Sequence, residues 1–251
     1  MSKSDTIFEN RYMTEIIIDP IEPRLARYPG YSLRRHFVDG FHFRHVRNLP
    51  RSSLVLDLGG NRLGKRGFFD IEEYGLQVVY ANLSIDKKPD VKAVAEHLPF
   101  RDGSFDAVIC SELLEHVLSP PAVLAEIYRL LRKGGTSLIC VPFMNRVHGD
   151  PFDYGRYTDW YWLDALQKSG FANICIEKQG LFWSVLMDML RDLAYTKAVN
   201  WKDGIPLRLL SAVLATGKRK ALEWDAREDT RENKTLAGFT TGFGIRAIKN
   251  E

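Results

Sequence analysis

The segment SLVLDLGGNRLG, residues 53–64, contains a short apolar run followed at once by glycines. Such a run predicts a buried strand that leads into a tight turn. Glycines there let the backbone approach a ligand closely, and a helix N-terminus after the turn would favour anionic or polar groups. The spacing of Gly59, Gly60 and Gly64 differs from the G-x-G-x-x-G fingerprint of dinucleotide-binding folds. This disfavours a nicotinamide-dependent oxidoreductase and leaves a purely structural turn as the alternative.

Strand-like and helical segments alternate after this turn. Prolines followed by apolar residues at helical spacing predict a helix from Pro120, and Thr158 is a suitable N-cap for another. Two more helices are predicted between residues 181 and 224. The further strand candidates are LQVVYANL (76–83), FDAVIC (105–110), TSLICVPF (136–143), NICIEK (173–178) and FTTGFGIRAIK (239–249). This alternation predicts an α/β protein with a doubly wound, mostly parallel sheet.

The composition is that of an ordinary globular protein. The 251 residues are 45% apolar and 27% charged, which argues against wholesale disorder. The longest apolar run, residues 138–144, is seven residues long, whereas a membrane-spanning helix needs roughly 20. Three cysteines in strand-like runs predict buried, reduced thiols rather than a disulfide scaffold. Together with an N-terminus that lacks a signal-peptide h-region, they predict a cytoplasmic protein.

The order of the motifs downstream is more specific. After the second strand come AEHLPFRDGSFDAVICSELLEHV (95–117) and RLLRKGGTSLICVPF (129–143). In this order they resemble the class I S-adenosylmethionine-dependent methyltransferases, in particular the type 11 group. The resemblance covers roughly residues 53–180 and the last strand. It implies a Rossmann-like methyltransferase fold with a mostly parallel seven-stranded sheet, an antiparallel last strand and S-adenosylmethionine as cofactor.

The resemblance also implies a domain organisation. Residues 53–251 would form the methyltransferase domain, with a helical insertion at about 181–224 before the last strand. Residues 1–52 would be an N-terminal extension that forms a helical cap.

Candidate cofactor-binding residues follow from matching the motifs. Asp57, Gly59 and Gly60 match the first-strand motif that holds the methionine part of the cofactor, but Asn61 stands where the next spaced glycine is usual. The carboxylate that binds the ribose aligns with Ser84, whose hydroxyl offers a weaker contact than a charge-assisted one, and Asp86 would face elsewhere. The remaining candidates are Ala95 and Glu96 beside the adenine, and Ser111 and Glu112 after the next strand.

Two polar clusters follow adjacent strands, SELLEHV (111–117) and RVHGDPFDYGRYT (146–158). The E-x-x-E-H turn resembles that of the metal-dependent 2′-O-methyltransferases of plant small RNAs, and ubiquinone-pathway O-methyltransferases carry a similar turn. The resemblance implies that Glu112, Glu115, His116 and His148 hold a divalent ion that lowers the pKa of the acceptor hydroxyl. Two histidines make Mn²⁺, Fe²⁺ or Zn²⁺ at least as suitable as Mg²⁺. Alternatively, these side chains cap a helix and line the cofactor cleft.

Without a metal, His148 is the candidate general base, because histidine titrates near neutral pH. Asp150 or Asp153 would orient it or bind substrate hydroxyls, and the alternative is a rigid turn braced by Asp–Arg pairs. The string H-G-D-P-x-D-Y-x-R-[FY]-T resembles a subset of type 11 enzymes associated with surface-glycan genes.

The leading hypothesis is therefore O-methylation of a small-molecule or glycan hydroxyl. One alternative is 2′-O-methylation of RNA with a divalent metal, although no RNA-binding motif is visible and nucleic acid is disfavoured. The other is a methyltransferase-like binding protein without turnover, which the departures at Asn61 and Ser84 suggest. The sequence carries no signal for the oligomeric state.

The charge is unevenly distributed, although the net charge is only +3. Residues 54–190 carry 14 basic and 18 acidic side chains, and both flanking segments are basic. The flanking segments are expected to cover the cleft and select the acceptor. Residues 207–222 would form a helix over the site with a solvated basic end at Lys218, Arg219 and Lys220, and a membrane-surface role is the lesser alternative.

Overall fold

The computed structural model describes residues 14–63, 67–149, 152–200 and 207–250. They contain an eight-stranded sheet of order β1-β7-β8-β6-β5-β2-β3-β4. The strands are β1 (Glu15–Ile16), β2 (Leu54–Leu58), β3 (Gln77–Asn82), β4 (Val91–Lys92), β5 (Phe105–Ser111), β6 (Leu131–Pro142), β7 (Phe171–Lys178) and β8 (Gly242–Lys249). The helices are α1 (Pro23–Arg27), α2 (Leu33–Val46), α3 (Pro120–Leu130), α4 (Asp159–Lys168), α5 (Phe182–Asn200), α6 (Leu207–Asp225) and α7 (Glu228–Glu232).

The sheet confirms the predicted fold class. Strand β8 pairs antiparallel with both β6 and β7, and every other pairing is parallel. The two-residue strands β1 and β4 extend the two edges and have no clear sequence signal. Helices α5 and α6 lie between β7 and β8 along the chain, as predicted.

Both faces of the sheet are buried, because successive strand residues point to opposite sides. On one face, Leu56 and Val108 pack with residues of α3 and α4. On the other face, Val55 and Ile109 pack with α2. Helix α2 therefore forms part of the hydrophobic core on this face of the sheet.

The insertion helices hold α2 in position. Both carboxylate oxygens of Asp188 on α5 accept 2.7 Å hydrogen bonds from the first backbone N–H groups of α2, those of Leu33 and Arg34. Lys218 on α6 is fully buried, and its ammonium donates to the backbone carbonyls of Tyr28 and Tyr31. The expectation of a solvated lysine at residue 218 is therefore wrong, because these two carbonyls satisfy the charge inside the fold.

No helix in the described part of the chain is long and apolar enough to cross a membrane. The three cysteines are free; Cys110 and Cys140 are buried and Cys175 is half-buried.

Candidate functional site

A cavity of about 660 Å³ opens at the carboxyl ends of strands β2, β3 and β5. Parallel strands of an open sheet commonly bind ligands at this edge, where the strand order reverses. Every cofactor candidate of the sequence analysis lines this cavity: Asp57, Gly59, Gly60, Asn61, Ser84, Ala95, Glu96, Ser111 and Glu112. The structure therefore brings residues from four segments of the chain around one site.

The turn after β2 approaches the cavity with its backbone. Gly59 has φ +81°, in the left-handed region that favours glycine. A Cβ on Gly60 would lie 2.1 Å from the Asp57 carboxyl group. The Asn82 side-chain amide donates to the carbonyls of Gly59 and Gly60 at 2.9 and 3.0 Å and so fixes the turn. Sequence reasoning missed Asn82, whose position at the end of the neighbouring parallel strand was the available signal.

The helix expected after this turn is absent from the described residues. Residues 59–63 and 67–70 form no regular element, and only a 3₁₀ turn follows at Ile71–Tyr74. Gly67, Phe69 and Ile71 still line the cavity. The described segment therefore offers no α-helix N-terminus to an anionic ligand.

The second strand supplies the next contacts. Ser84 is half-buried, and its backbone N–H donates to the side-chain oxygen of Asn82 at 2.9 Å. Asp86 is exposed and is not among the lining residues. The cavity thus presents a hydroxyl, rather than a carboxylate, at the residue that aligns with the ribose-binding position. Ala95 is buried and Glu96 half-buried, and both line the same cavity.

Helix α2 brings a histidine to the end of β5. The His42 Nε2 lies 2.7 Å from the Ser111 hydroxyl oxygen, and both side chains line the cavity. Burial, together with the nearby Arg35 charge, lowers the pKa of His42 to about 3, so this imidazole is neutral at physiological pH. Sequence reasoning missed His42 because nothing local connects it to a strand end 69 residues away.

Glu112 adopts a left-handed conformation with φ +54°. The Arg34 guanidinium donates to its Oε1 at 2.5 Å, and both side chains are largely buried. The positive charges of Arg34 and Arg35 lower the pKa of Glu112 against the opposing effect of its burial. Glu112 is therefore an ionised carboxylate already engaged by Arg34.

Glu115, His116 and His148 form a compact cluster beside the cavity, which His116 lines. One potential ligand atom from each lies within 4.8 Å of the others. The His116 Nδ1 donates to the carbonyl of Phe152 at 2.5 Å, and the His148 Nδ1 lies 3.1 Å from the carbonyl of Arg146. In the neutral ring of His116, the bond to Phe152 leaves Nε2 as the lone-pair nitrogen. The His148 Nδ1 also lies 3.4 Å from the Arg156 Nη2.

Glu115 is the buried member of this cluster. Its side chain is 1% exposed, and neither carboxylate oxygen has a hydrogen-bond partner among the described residues. Burial, followed by the negative charge of Glu112, raises the pKa of Glu115 to about 8. A buried carboxylate without a partner is costly.

Asp153 braces the loop that carries His148. Both of its oxygens accept from the Arg156 guanidinium, and Oδ2 also accepts the backbone N–H of His148 at 2.8 Å. These bonds lower the pKa of Asp153 to about 2. The Asp153 Oδ2 also lies 3.5 Å from the His148 Nδ1, so it can orient the ring. Asp150 lies outside the described residues.

The described part of the insertion contributes no lining residue to the cavity. The expectation that residues 207–222 lie over the site is therefore not met by the described residues: α6 packs against α1 and α5 instead. The N-terminal segment does reach the cavity, through Arg35, Val38, Asp39 and His42 of α2.

Part of the chain is similar to known proteins. Residues 67–139 match a methyltransferase domain family, Methyltransf_11. This part of the chain is therefore similar to the type 11 methyltransferases. The ubiquinone/menaquinone biosynthesis C-methyltransferase of Rhizobium johnstonii is 31% identical over 134 residues, which are 52% of this chain and 48% of that protein. The ubiquinone biosynthesis O-methyltransferase of Methylococcus capsulatus is 42% identical over 84 residues, 34% and 31% of the two chains.

Solved structures of this methyltransferase fold agree with the sheet described above. A putative sarcosine dimethylglycine methyltransferase from Galdieria sulphuraria superposes with a TM-score of 0.57 at 16% sequence identity, covering 94% of both chains. At that identity the likeness concerns the fold. The matched part of this chain spans 48% and 31% of the length of the two ubiquinone-pathway proteins.

Proposed function

We propose that this protein transfers the methyl group of S-adenosylmethionine to a hydroxyl oxygen of a small molecule. The observation that carries the proposal is the continuity of one cavity. The glycine turn, Ser84 and Glu96 line one part of it, and Glu112 and His116 line another. A cofactor and an acceptor in this space would be close enough for in-line displacement at the methyl carbon.

The cofactor part is supported residue by residue. Gly59 and Gly60 would face the methionine portion, Ser84 the ribose, and Ala95 and Glu96 the adenine. The neutral imidazole of His42 would keep the Ser111 hydroxyl in a fixed direction beside the cofactor. Asn82 would act through the turn that it holds.

At the acceptor part, we propose that Glu115, His116 and His148 bind a divalent ion. The buried Glu115 carboxylate, whose oxygens have no hydrogen-bond partner among the described residues, supports this, because a cation would compensate its negative charge. The Nδ1 atom of each histidine also lies within hydrogen-bond distance of a backbone carbonyl, which is the usual outer contact of metal-ligating histidines. Mixed nitrogen and oxygen ligands suit Mn²⁺, Fe²⁺ or Zn²⁺. When bound, the ion would lower the pKa of the acceptor hydroxyl. Arg34 engages Glu112, which is therefore not part of the proposed set.

Without a metal, His148 would accept the acceptor's proton at Nε2, with Asp153 orienting its ring. Chelation separates these two mechanisms. Metal analysis of the purified protein is expected to find one divalent ion per chain, and activity should fall on chelation and return with the metal. Full activity of metal-free protein in chelator would instead support His148 as the base.

The mouth of the cavity supports an acceptor with an apolar or ring-shaped body. Leu118, Phe152 and Tyr154 line it, and all three are exposed. The Phe152 and Tyr154 rings lie 5.8 Å apart and could pack against an aromatic ring or the apolar face of a sugar. The name of the ubiquinone biosynthesis O-methyltransferase suggests testing ring hydroxyls of quinone precursors first, followed by glycans.

We further propose that the described parts of the segment 1–52 and of the insertion at 181–224 act as one structural unit that presents α2 to the site. The contacts of Asp188 and Lys218 support this. Residues 1–13 and 201–206 of these two segments lie outside the described residues. Free thiols at Cys110, Cys140 and Cys175 are compatible with a reducing, cytoplasmic setting.

Calorimetry with S-adenosylhomocysteine and a screen with labelled S-adenosylmethionine test the proposal. Binding is expected, together with label in a product that is stable to mild base, as an ether is. Failure to bind at millimolar cofactor would refute the methyltransferase function. Binding without transfer to any acceptor would favour a binding protein, and transfer to RNA alone would favour the nucleic-acid alternative.

A further inference from the structure

Two hydrogen bonds fasten the loop after β6 to the turn after β5. The Tyr154 backbone N–H donates to the carbonyl of Glu115 at 2.7 Å, and the His116 Nδ1 donates to the carbonyl of Phe152 at 2.5 Å. Two consecutive residues of the turn therefore hold two nearby residues of the loop. The side chains of Phe152 and Tyr154, which these bonds place, line the mouth of the cavity.

The described part of this loop has little apolar burial to keep it in place. Val147 is 83% exposed, and the side chains of Phe152 and Tyr154 are 58% and 47% exposed. Segments with few buried apolar contacts open locally at a low cost in free energy. Polar contacts therefore set the position of the aromatic pair, and a ligand that strengthens them would keep the mouth in this shape for more of the time.

His116 connects this loop to the proposed metal site through its two ring nitrogens. Nδ1 faces the Phe152 carbonyl, whereas Nε2 lies 3.5 Å from the Glu115 Oε1. The third member of the cluster, His148, belongs to the loop itself, and its ring stands perpendicular to that of His116 with the centroids 5.2 Å apart. An ion bound by all three side chains would therefore join the loop to the turn at a second place, before Phe152 in the chain.

We infer that His116 is the positioning residue through which a divalent ion orders the aromatic mouth of the cavity. This inference rests on the metal site of the proposed function. Opening of the loop would break the bond between His116 and Phe152 and would withdraw His148 from the other two ligands. The closed loop would thus bind the ion more tightly than the open one, so ion binding shifts the loop towards the closed form. Phe152 and Tyr154 would then present a fixed surface to the acceptor.

Amide hydrogen exchange on the full chain tests this coupling with zinc alone, since Zn²⁺ suits nitrogen and oxygen ligands and has no redox chemistry. The Tyr154 amide is the reporter, because its N–H is bonded to the Glu115 carbonyl between loop and turn. At about 100 times the dissociation constant that calorimetry gives for zinc, its exchange should slow by roughly 10- to 100-fold. The Gly59 amide, which donates to the Ala81 carbonyl at 2.8 Å, is the internal reference and should not respond.

Three variants separate the ion from the hydrogen bonds. Glu115→Gln keeps the backbone carbonyl and the bond between His116 and Phe152 but loses the carboxylate, so zinc should bind weakly and exchange at Tyr154 should no longer respond. His116→Leu removes the donor to Phe152, and its Tyr154 amide should exchange faster than that of wild type even without zinc. Asp164→Asn changes a carboxylate that is 61% exposed on α4 and should behave as wild type.

The possible failures point to different parts of the proposal. Zinc binding without slower exchange at Tyr154, equal slowing in Glu115→Gln, or unchanged exchange in zinc-free His116→Leu would each overturn the inference. Absence of zinc binding to the wild type would refute the metal site, and this inference with it. Methyl transfer itself is decided separately, by the binding of S-adenosylhomocysteine and the labelling of a product.

Discussion

Arg34 Nη2 lies 2.5 Å from Glu112 Oε1, and this ion pair joins α2 to the end of strand β5 inside the protein. The two side chains are only 6% and 13% exposed. Removing one partner would leave the other charge buried without compensation. We expect Arg34→Gln to lower the free energy of unfolding by about 3–5 kcal/mol, as measured by urea denaturation.

A double variant and a surface pair serve as controls for this prediction. Arg34→Met combined with Glu112→Leu removes both charges and should lose less stability than Arg34→Gln alone. Lys168 and Asp164 form an ion pair with side chains 75% and 61% exposed, so Lys168→Gln should cost under about 0.5 kcal/mol. Equal losses in Arg34→Gln and Lys168→Gln would contradict the burial argument.

Glu115 should make the metal-free protein less stable as the pH rises. Its pKa is raised from the ordinary 4.5 to about 8 in the folded protein. The folded state therefore keeps the proton that the unfolded chain releases above pH 4.5, and stability is lost as pH rises towards 8. In Glu115→Gln the side chain cannot ionise, so residue 115 should cause no loss of stability as the pH rises.

Denaturation in chelator at several pH values measures this effect. The difference in unfolding free energy between wild type and Glu115→Gln isolates Glu115 from Asp39, Asp188 and Asp225, whose pKa values are also raised. That difference should shift in favour of the variant between about pH 5 and pH 8. A difference that stays constant across this range would contradict a raised pKa.

The main strands and the cofactor side of the cavity were predictable because their signals are local. The run LVLDL predicts a strand at 54–58, where β2 lies. The residues that match sequence motifs follow strands whose carboxyl ends meet at one edge of a parallel sheet. Their convergence there follows from the topology once the strand order is known.

What escaped prediction depends on contacts between distant segments. Arg34, Arg35 and His42 belong to a helix that the sequence suggests only as an extension, and they reach the site because α2 packs on the sheet. The KRK run at 218–220 predicts a solvated helix end. Lys218 is instead buried, and its ammonium donates hydrogen bonds to carbonyls 187 and 190 residues away in the chain. Neither the position of α2 at the site nor the burial of Lys218 can be predicted from the residues next to them in the sequence.

Gly60→Ala should weaken cofactor binding. The added Cβ would lie 2.1 Å from the Asp57 carboxyl group, so the turn or that side chain must move. We expect the affinity for S-adenosylhomocysteine to fall by at least about tenfold. Gly238→Ala is the matched control, since a Cβ there meets nothing within 4 Å. Retained affinity in Gly60→Ala would show that the turn does not contact the cofactor.

Ser84→Asp should strengthen cofactor binding if the cavity holds a ribose beside residue 84. The half-buried serine lines the cavity, and its backbone is already fixed by Asn82. A carboxylate can accept hydrogen bonds from both ribose hydroxyls, and its charge makes each of them stronger than a contact with the serine hydroxyl. We expect the affinity for S-adenosylhomocysteine to rise by roughly tenfold, as measured by calorimetry.

Two comparisons decide whether such a gain arises at the ribose. Adenosine and 2′,3′-dideoxyadenosine should bind Ser84→Asp with different affinities, because only adenosine carries the two hydroxyls. Asp86→Asn removes an exposed carboxylate two residues away and should leave the affinity for S-adenosylhomocysteine unchanged. Equal affinities of Ser84→Asp for the two nucleosides would mean that the ribose does not face residue 84, so the alignment that matches this serine to the ribose position would be wrong.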